Sequence, residues 1–218
     1  PDEGEIFING EKVFINSPED AFKYKIGMIH QHFKLVDIFT AAENIILGVN
    51  EGRGLKIKEV NSRVGAIADK YGFNIDVKKH VYDMSVSEKQ TVEILKVLYR
   101  GADILILDEP TAVLTPQETE KLFDVLRKMR DDGKAIIIIT HKLNEVMEIS
   151  DEVAVLRKGE YVTTVKTSET NGNELTEMMV GKKTELKIDR PKVEKKLPLL
   201  EIRDLNVNSD DGSKAIQN

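Results

Sequence analysis

The segment Ile-Leu-Ile-Leu-Asp-Glu-Pro at residues 104–110 indicates the fold class of this chain. Its four branched apolar residues are too few for a helix. They are typical of a strand buried on both faces of a parallel sheet. Asp108 and Glu109 would lie where this strand leaves the sheet, the edge at which open α/β sheets bind ligands. One carboxylate suits a hard cation such as Mg²⁺, and the next can orient or deprotonate a water. A strand followed by a polar, helix-starting turn explains the segment equally well.

The composition limits the classes of protein to consider. The chain has 218 residues and a net charge of −6, so binding of nucleic acid through a basic surface is disfavoured. It has no cysteine, which excludes disulfides and thiolate metal sites. No apolar run approaches the ~18 residues of a membrane span, so the cytosol is the expected compartment. The chain begins at Pro1 rather than at Met, and we expect that an upstream part is missing or was removed.

Two further short apolar runs predict buried strands that also end in polar side chains. Residues 26–29 lead into His30-Gln31, and residues 135–139 lead into Thr140-His141. Parallel strands would bring Gln31, the acidic pair and His141 to one edge of a single sheet. A lone glutamine or histidine in such a place is usually a surface or structural residue. Together with the carboxylates, however, they suit a Mg²⁺-nucleotide and an attacking water.

The other predicted elements surround this sheet. Apolar periodicity predicts three helices between residues 40 and 100, so that this region is expected to be all-helical between strand-rich flanks. Further helices are expected at 115–131, 142–149 and 173–180, with Thr115 as an N-cap. Asn9-Gly10 and Lys158-Gly159 predict two hairpins, and Ser17-Pro18 predicts a short helix to about residue 25. Residues 199–207 have a strand-like pattern, whereas 208–218 predict no element.

The order and spacing of these motifs resemble the nucleotide-binding subunits of ABC transporters. The similarity is greatest to the tandem-domain ATPases of bacterial simple-sugar and nucleoside importers. It covers residues 1–181 and the opening strand of a second such domain at 198–207. The resemblance implies an α/β fold with a RecA-like, P-loop-type parallel sheet that is truncated at its N-terminus, an inserted all-helical subdomain and a small antiparallel β part. It assigns the core to 1–39 and 101–181, the helical subdomain to 40–100, a linker to 182–197 and the start of a second nucleotide-binding domain to 198–218.

The resemblance also implies roles for individual residues. Gln31 resembles the Q-loop glutamine that contacts Mg²⁺, and Asp108 resembles the Walker B aspartate that supports the same ion. Glu109 resembles the catalytic base that positions the attacking water, and His141 resembles the switch histidine that contacts the γ-phosphate. The remaining site residues resemble the signature motif, which binds the phosphate of an ATP held by an opposing domain: Ser85, Val86, Ser87 and Glu88. The implied cofactors are ATP and Mg²⁺.

The partners implied by the resemblance are integral membrane permease subunits, a second nucleotide-binding domain and, indirectly, an extracellular solute-binding protein. No nucleic acid is expected. The chain would hydrolyse ATP to drive transport and would lie in the cytoplasm, peripherally on the inner face of the cell membrane. The helical region 40–100 would dock on the permease.

The sequence departs from the family pattern at three places. It contains no G-x-x-x-x-G-K-[ST] segment, so the loop that cradles phosphates in this family is absent. Ser87 replaces a glycine of the signature motif, and Thr115 replaces an aspartate that many relatives use across the dimer. We therefore expect the isolated chain to be inactive. Two alternatives remain open: a degenerate regulatory half that lends its signature motif to a partner site, and a soluble ABC ATPase of translation or DNA repair.

Overall fold

The computed structural model describes residues 3–49, 57–182, 200–208 and 214–216. The chain divides into two compact units, residues 1–182 and 183–218, and each is described by itself. Within the described ranges, no helix combines the length and apolar character needed to cross a bilayer.

The first unit opens with the predicted hairpin and short helix. Strands β1 (Ile6–Ile8) and β2 (Glu11–Val13) pair antiparallel. Asn9 and Gly10 connect them, both with positive φ, as a tight hairpin turn between right-twisted strands requires. Helix α1 (Pro18–Lys23) follows, and the Ser17 side chain caps its N-terminus.

The central sheet has three parallel strands. They are β3 (Ile26–Ile29), β4 (Ile104–Asp108) and β5 (Ala135–Ile139), with β4 in the middle. Met28 pairs with Ile106, which pairs in turn with Ile137. The prediction that these three runs form one parallel sheet is confirmed.

Helices connect β3 to β4, as predicted. They are α2 (Ala41–Ile46), α3 (Ile57–Tyr71) and α4 (Val86–Tyr99), with a 3₁₀ turn at Val81–Asp83. The three helices share a buried apolar cluster that includes Ile45, Val64 and Leu95, each fully buried. Because this cluster is built from helix side chains, the helices stabilise one another by burying their apolar stripes.

The rest of the first unit contains α5 (Pro116–Asp131), α6 (Leu143–Ile149), the antiparallel hairpin β6 (Glu152–Arg157) and β7 (Glu160–Lys166), a 3₁₀ turn at Thr167–Glu169, and α7 (Gly172–Val180). Thr115 caps α5 in a capping box with Glu118, which confirms its predicted local role.

The prediction that the sheet is buried on both faces is wrong. Leu105 and Leu107 on one face are fully buried against α4 and α5, for example against Phe123. On the other face, Ile137 is 50% exposed and Ile139 48% exposed. An apolar run is compatible with a strand buried on both faces. Whether each face is buried depends on which other elements pack against it, and the local sequence pattern does not determine this.

In the second unit, two strand expectations are wrong. The strand-like pattern of 199–207 gives a strand only at β8 (Val207–Asn208), while 200–206 is irregular. Residues 208–218, expected to lack an element, contribute β9 (Lys214–Ile216), which pairs antiparallel with β8. Strand formation depends on a pairing partner more than on local pattern, which explains both errors. Most of the predicted linker at 182–197 lies outside the described residues.

Candidate functional site

The three central strands leave the sheet at one edge. Ile29 is level with Leu107, and Asp108 is level with Ile139. The Glu109 N–H extends the ladder by donating to the Ile139 carbonyl at 2.9 Å. Because the strands are parallel, the polar residues that follow them emerge on the same side of the molecule, as a ligand site at a sheet edge requires.

Glu109 and His141 are in direct contact at this edge. His141 Nδ1 lies 2.6 Å from Glu109 Oε1, so the ring N–H donates to the carboxylate. The other carboxylate oxygen, Oε2, is buried and has no hydrogen-bond partner among the described residues. The His141 side chain is 73% exposed, whereas that of Glu109 is 16% exposed. The pair thus presents an exposed imidazole and a buried acceptor that can still receive a hydrogen bond.

Asp108 and Gln31 complete the predicted edge residues. Asp108, half-buried, is the last residue of β4, and Gln31 follows β3 by two residues with an exposed side chain. Across the described part of the chain, no three His, Cys, Asp or Glu side chains form a group that could hold a metal ion. Asp108 and Gln31 offer a carboxylate and an amide oxygen, the kind of hard oxygen ligands that suit Mg²⁺. The unpartnered Glu109 Oε2 is consistent with such a ligand or its water.

The predicted signature residues form the N-terminus of α4. Ser85 is the N-cap: its N–H donates to Glu88 Oε2 at 2.7 Å, and its Oγ accepts from the Glu88 N–H at 3.3 Å. Lys79 Nζ lies 2.8 Å from Glu88 Oε1. This lysine, more than the bond to Ser85, holds the pKa of the Glu88 carboxyl below its ordinary value. The carboxylate therefore occupies part of the positive helix end that the sequence suggested for a phosphate.

The backbone N–H groups of Val86 and Ser87 lie in the first turn of α4. They have no acceptor within the helix and point out of it at its N-terminus. Val86 is exposed and Ser87 is half-buried. The capping box was not anticipated from the sequence, although Ser85 and Glu88 have its spacing. Two donors of the first turn thus remain for an anion, fewer than the motif alone suggested.

Several buried polar residues that the sequence analysis missed hold the loops around this edge. Thr111, two residues beyond Glu109, is almost fully buried, and its Oγ1 donates to Glu145 Oε2 at 2.5 Å. Lys142, next to His141, donates to the Thr111 carbonyl at 2.8 Å and to Glu145 Oε1 at 3.0 Å. This network joins the loop after Glu109 to the start of α6, so that the two members of the Glu109–His141 pair have a common support.

The loop after Gln31 is held in a similar way. The fully buried Asn44 accepts from the Val36 N–H at 2.7 Å and donates to the carbonyls of Val36 and Thr40. Glu93, inside the apolar run 92–95 of α4, accepts from the Lys34 N–H at 2.7 Å. A charged residue within an apolar helix stripe is the signal that could have pointed to this contact.

These features give an α/β protein with a candidate acidic site at the carboxyl edge of a parallel sheet and a capped helix N-terminus as a second candidate site. The sequence profile described as "ABC transporter" matches residues 1–112, just over half of the chain. The chain belongs to the ABC transporter family.

Known relatives and solved structures agree with this assignment. The chain is 46% identical to the "Guanosine import ATP-binding protein NupO" of Bacillus subtilis, over 100% of this chain and 43% of that protein. It is 43% identical to the "Glucose import ATP-binding protein TsgD13" of Haloferax volcanii, over 100% of this chain and 45% of that protein. The chain thus spans less than half the length of these relatives.

Among solved structures, the dimeric post-hydrolysis state of the ATP-binding cassette MJ0796, bound to ADP and Pi, is 26% identical. It superimposes with a TM-score of 0.64 over 76% of this chain and 74% of that chain. This agreement confirms the predicted fold class, a mixed α/β cassette with a parallel sheet and separate antiparallel strands.

Proposed function

We propose that this chain is part of the ATP-binding and ATP-hydrolysing subunit of an ABC importer for simple sugars or nucleosides. The family membership and the relatives' names, which specify guanosine and glucose import, support this proposal over a soluble ATPase of translation or DNA repair. The partners would be membrane permease subunits, a second nucleotide-binding domain and, indirectly, a solute-binding protein. The subunit would lie on the cytoplasmic face of the membrane.

The observation that carries the proposal is the contact between Glu109 and His141 at the sheet edge. His141 holds the Glu109 carboxylate through Oε1, which fixes the position of the group that would accept a proton from the attacking water. The exposed imidazole is available to contact the nucleotide while its Nδ1–H stays bonded to Glu109. A bound Mg²⁺, held by Asp108 and Gln31 together with phosphate oxygens, would neutralise charge on the triphosphate.

The remaining assignments follow the same proposal. Residues 1–39 and 101–181 would form the ATPase core, 40–100 the helical signature subdomain, 182–197 a linker and 198–218 the beginning of a second nucleotide-binding domain. The first turn of α4, from Ser85 to Glu88, would contact the phosphate of an ATP bound to the opposing domain.

Substitution of Glu109 tests this function. In the complete subunit assembled with its permease, we expect Glu109→Gln to lower kcat for Mg²⁺-ATP hydrolysis by about 10²–10⁴-fold, because the amide cannot accept the proton. ATP binding, measured by equilibrium titration, should be retained. Glu152→Gln, an exposed carboxylate on β6, is the matched control and should hydrolyse ATP at the wild-type rate. Undiminished hydrolysis in Glu109→Gln would contradict the assignment.

The isolated 218-residue chain should show no turnover above background. It carries the acidic edge and the signature helix, but it contains no G-x-x-x-x-G-K-[ST] segment to cradle the phosphates. Phosphate release with Mg²⁺-ATP is the measurement, with Glu109→Gln as the control. Release that requires Mg²⁺ and disappears in the variant would overturn this prediction.

A further inference from the structure

Helix α4 carries two polar side chains that are almost completely buried. Gln90 is 4% exposed and Glu93 is 3% exposed, while their neighbours Val92, Ile94 and Leu95 are buried apolar residues. Burial of an amide or a carboxylate among apolar side chains is unfavourable unless the group is hydrogen-bonded. Their hydrogen-bond partners therefore explain why this helix tolerates them.

Gln90 reaches the loop that follows Glu109. Its Nε2 donates to the Pro110 carbonyl at 2.6 Å, and this contact is buried. Pro110 is the residue directly after Glu109, so the amide fixes the backbone at the point where the chain leaves β4. The backbone of Glu109 has a φ of 46°. A residue with a Cβ keeps this conformation only where its surroundings hold the backbone in place.

Glu93 reaches the loop that follows Gln31. Its Oε1 accepts from the Lys34 N–H at 2.7 Å, and Lys96 Nζ donates to the carbonyl of the same residue at 3.0 Å. Residues three apart on a helix are surface neighbours, so Gln90, Glu93 and Lys96 form a continuous polar row along α4. The row begins at Gln90, about one and a half turns after Ser85, and contacts both loops.

We propose that Gln90 and Glu93 are positioning residues for ATP hydrolysis, which place Glu109 and Gln31 relative to the signature turn of the same helix. The inference rests on the proposed function, because helix α4 would position three groups that act on the nucleotide. These groups are Glu109, Gln31 and the helix's own signature turn. It adds two residues with no direct contact to ATP. Helix α4 also packs closely on β3, where Gly27 faces Val97, so the helix that carries both residues lies directly against the sheet.

Hydrogen exchange in the isolated chain tests the contact made by Glu93. Glu93→Ala removes the acceptor for the Lys34 N–H, and we expect this amide to exchange at least about tenfold faster. Glu93→Gln keeps an acceptor oxygen at the same position and should restore the slow exchange. Thr91→Val, on the same helix, is the control and should leave the Lys34 amide unchanged. Equal protection of Lys34 in Glu93→Ala and the wild type would overturn this part of the proposal.

Kinetics of the complete subunit with its permease test the positioning role. Gln90→Met retains the size of the side chain but loses the donor to Pro110, so kcat should fall about tenfold or more while KM for ATP stays within about twofold. A fall in activity that only matches a fall in the folded fraction, or an unchanged kcat, would overturn the proposal. The outcome is separable from that of the proposed function: if Glu109→Gln abolishes hydrolysis but Gln90→Met does not lower kcat, only the positioning role fails.

Discussion

The backbone of Glu109 has a φ of 46°, in the left-handed region that residues other than glycine adopt rarely. Such a conformation costs about 1–3 kcal/mol and persists where the surroundings impose it. Here the Glu109 N–H bonds to Ile139, the carboxylate bonds to His141, and the following residue bonds to Gln90. The concentration of these contacts on Glu109 and the residue after it is the reason to place the base of the proposed reaction there.

The Lys79–Glu88 pair predicts a pH dependence of stability. The pKa of Glu88 is held below its ordinary value of 4.5, chiefly by Lys79, so the ionised form stabilises the folded state. This contribution is fully present above pH 4.5 and is lost as the pH falls through the lower folded-state pKa. At pH 7 we expect Glu88→Gln to cost about 0.5–1 kcal/mol of unfolding free energy, a difference that disappears in acid.

A double-mutant cycle with Lys79→Met isolates this pair from the capping box, because the glutamine can still accept from the Ser85 N–H. Urea unfolding at a series of pH values measures the coupling energy. A coupling that stays constant well below pH 4.5 would show that the pair does not account for the lowered pKa.

The contact between helix α4 and strand β3 depends on Gly27. A Cβ at this position would lie 2.7 Å from Val97 Cβ and 3.1 Å from Ala102 Cβ. These atoms are close to the backbone and cannot move aside without a shift of the helix. The absence of a side chain at residue 27 therefore sets the distance between the signature helix and the sheet.

We expect Gly27→Ala to lower the unfolding free energy by about 1–3 kcal/mol, because the added methyl group forces α4 away from β3. Gly65→Ala is the matched control: Gly65 lies inside α3, and a Cβ there meets nothing within 4 Å. That substitution should stabilise the chain by about 0.5–1 kcal/mol through helix propensity. Denaturant unfolding measures the free energy of unfolding of both variants. An unchanged free energy in Gly27→Ala would contradict the close packing.

In the first unit, one face of the central sheet packs on helices and the opposite face is partly exposed. Leu105, Leu107, Ile136 and Ile138 face the core shared with α4 and α5, whereas Met28, Ile137 and Ile139 on the opposite face are 40–50% exposed. Apolar burial of a full side chain contributes about 1.5–3 kcal/mol, so the two faces of one strand should respond differently to the same substitution.

Ile137→Thr and Ile138→Thr compare these faces within β5. We expect Ile137→Thr to change the unfolding free energy by less than about 0.5 kcal/mol, because its side chain is half-exposed already. Ile138→Thr should cost about 1–3 kcal/mol, because it introduces a hydroxyl where the side chain packs on the core. Chemical denaturation measures both. Equal losses would mean that both faces of the strand are covered in solution.

Local sequence was sufficient for most of the elements. The apolar runs predicted the three parallel strands, the 3.6-residue stripes predicted α3, α4 and α5, and Asn9-Gly10 predicted the first hairpin. These features depend on backbone preferences and on periodicity within one segment, which are readable without knowledge of distant residues. The order of the polar residues after the strands likewise predicted an acidic edge, because parallel strands end together.

Contacts between distant segments could not be read in this way. The bonds from Gln90 to Pro110 and from Glu93 to Lys34 join residues 20 and 59 positions apart in sequence, and the burial of β5 on one face depends on side chains of other elements. Each depends on which surfaces meet after the helices pack, and a residue's neighbours within its own segment do not specify that. The residue types at the acidic edge follow from the chain alone, whereas the support that holds them in place exists only once the helices and the sheet are assembled.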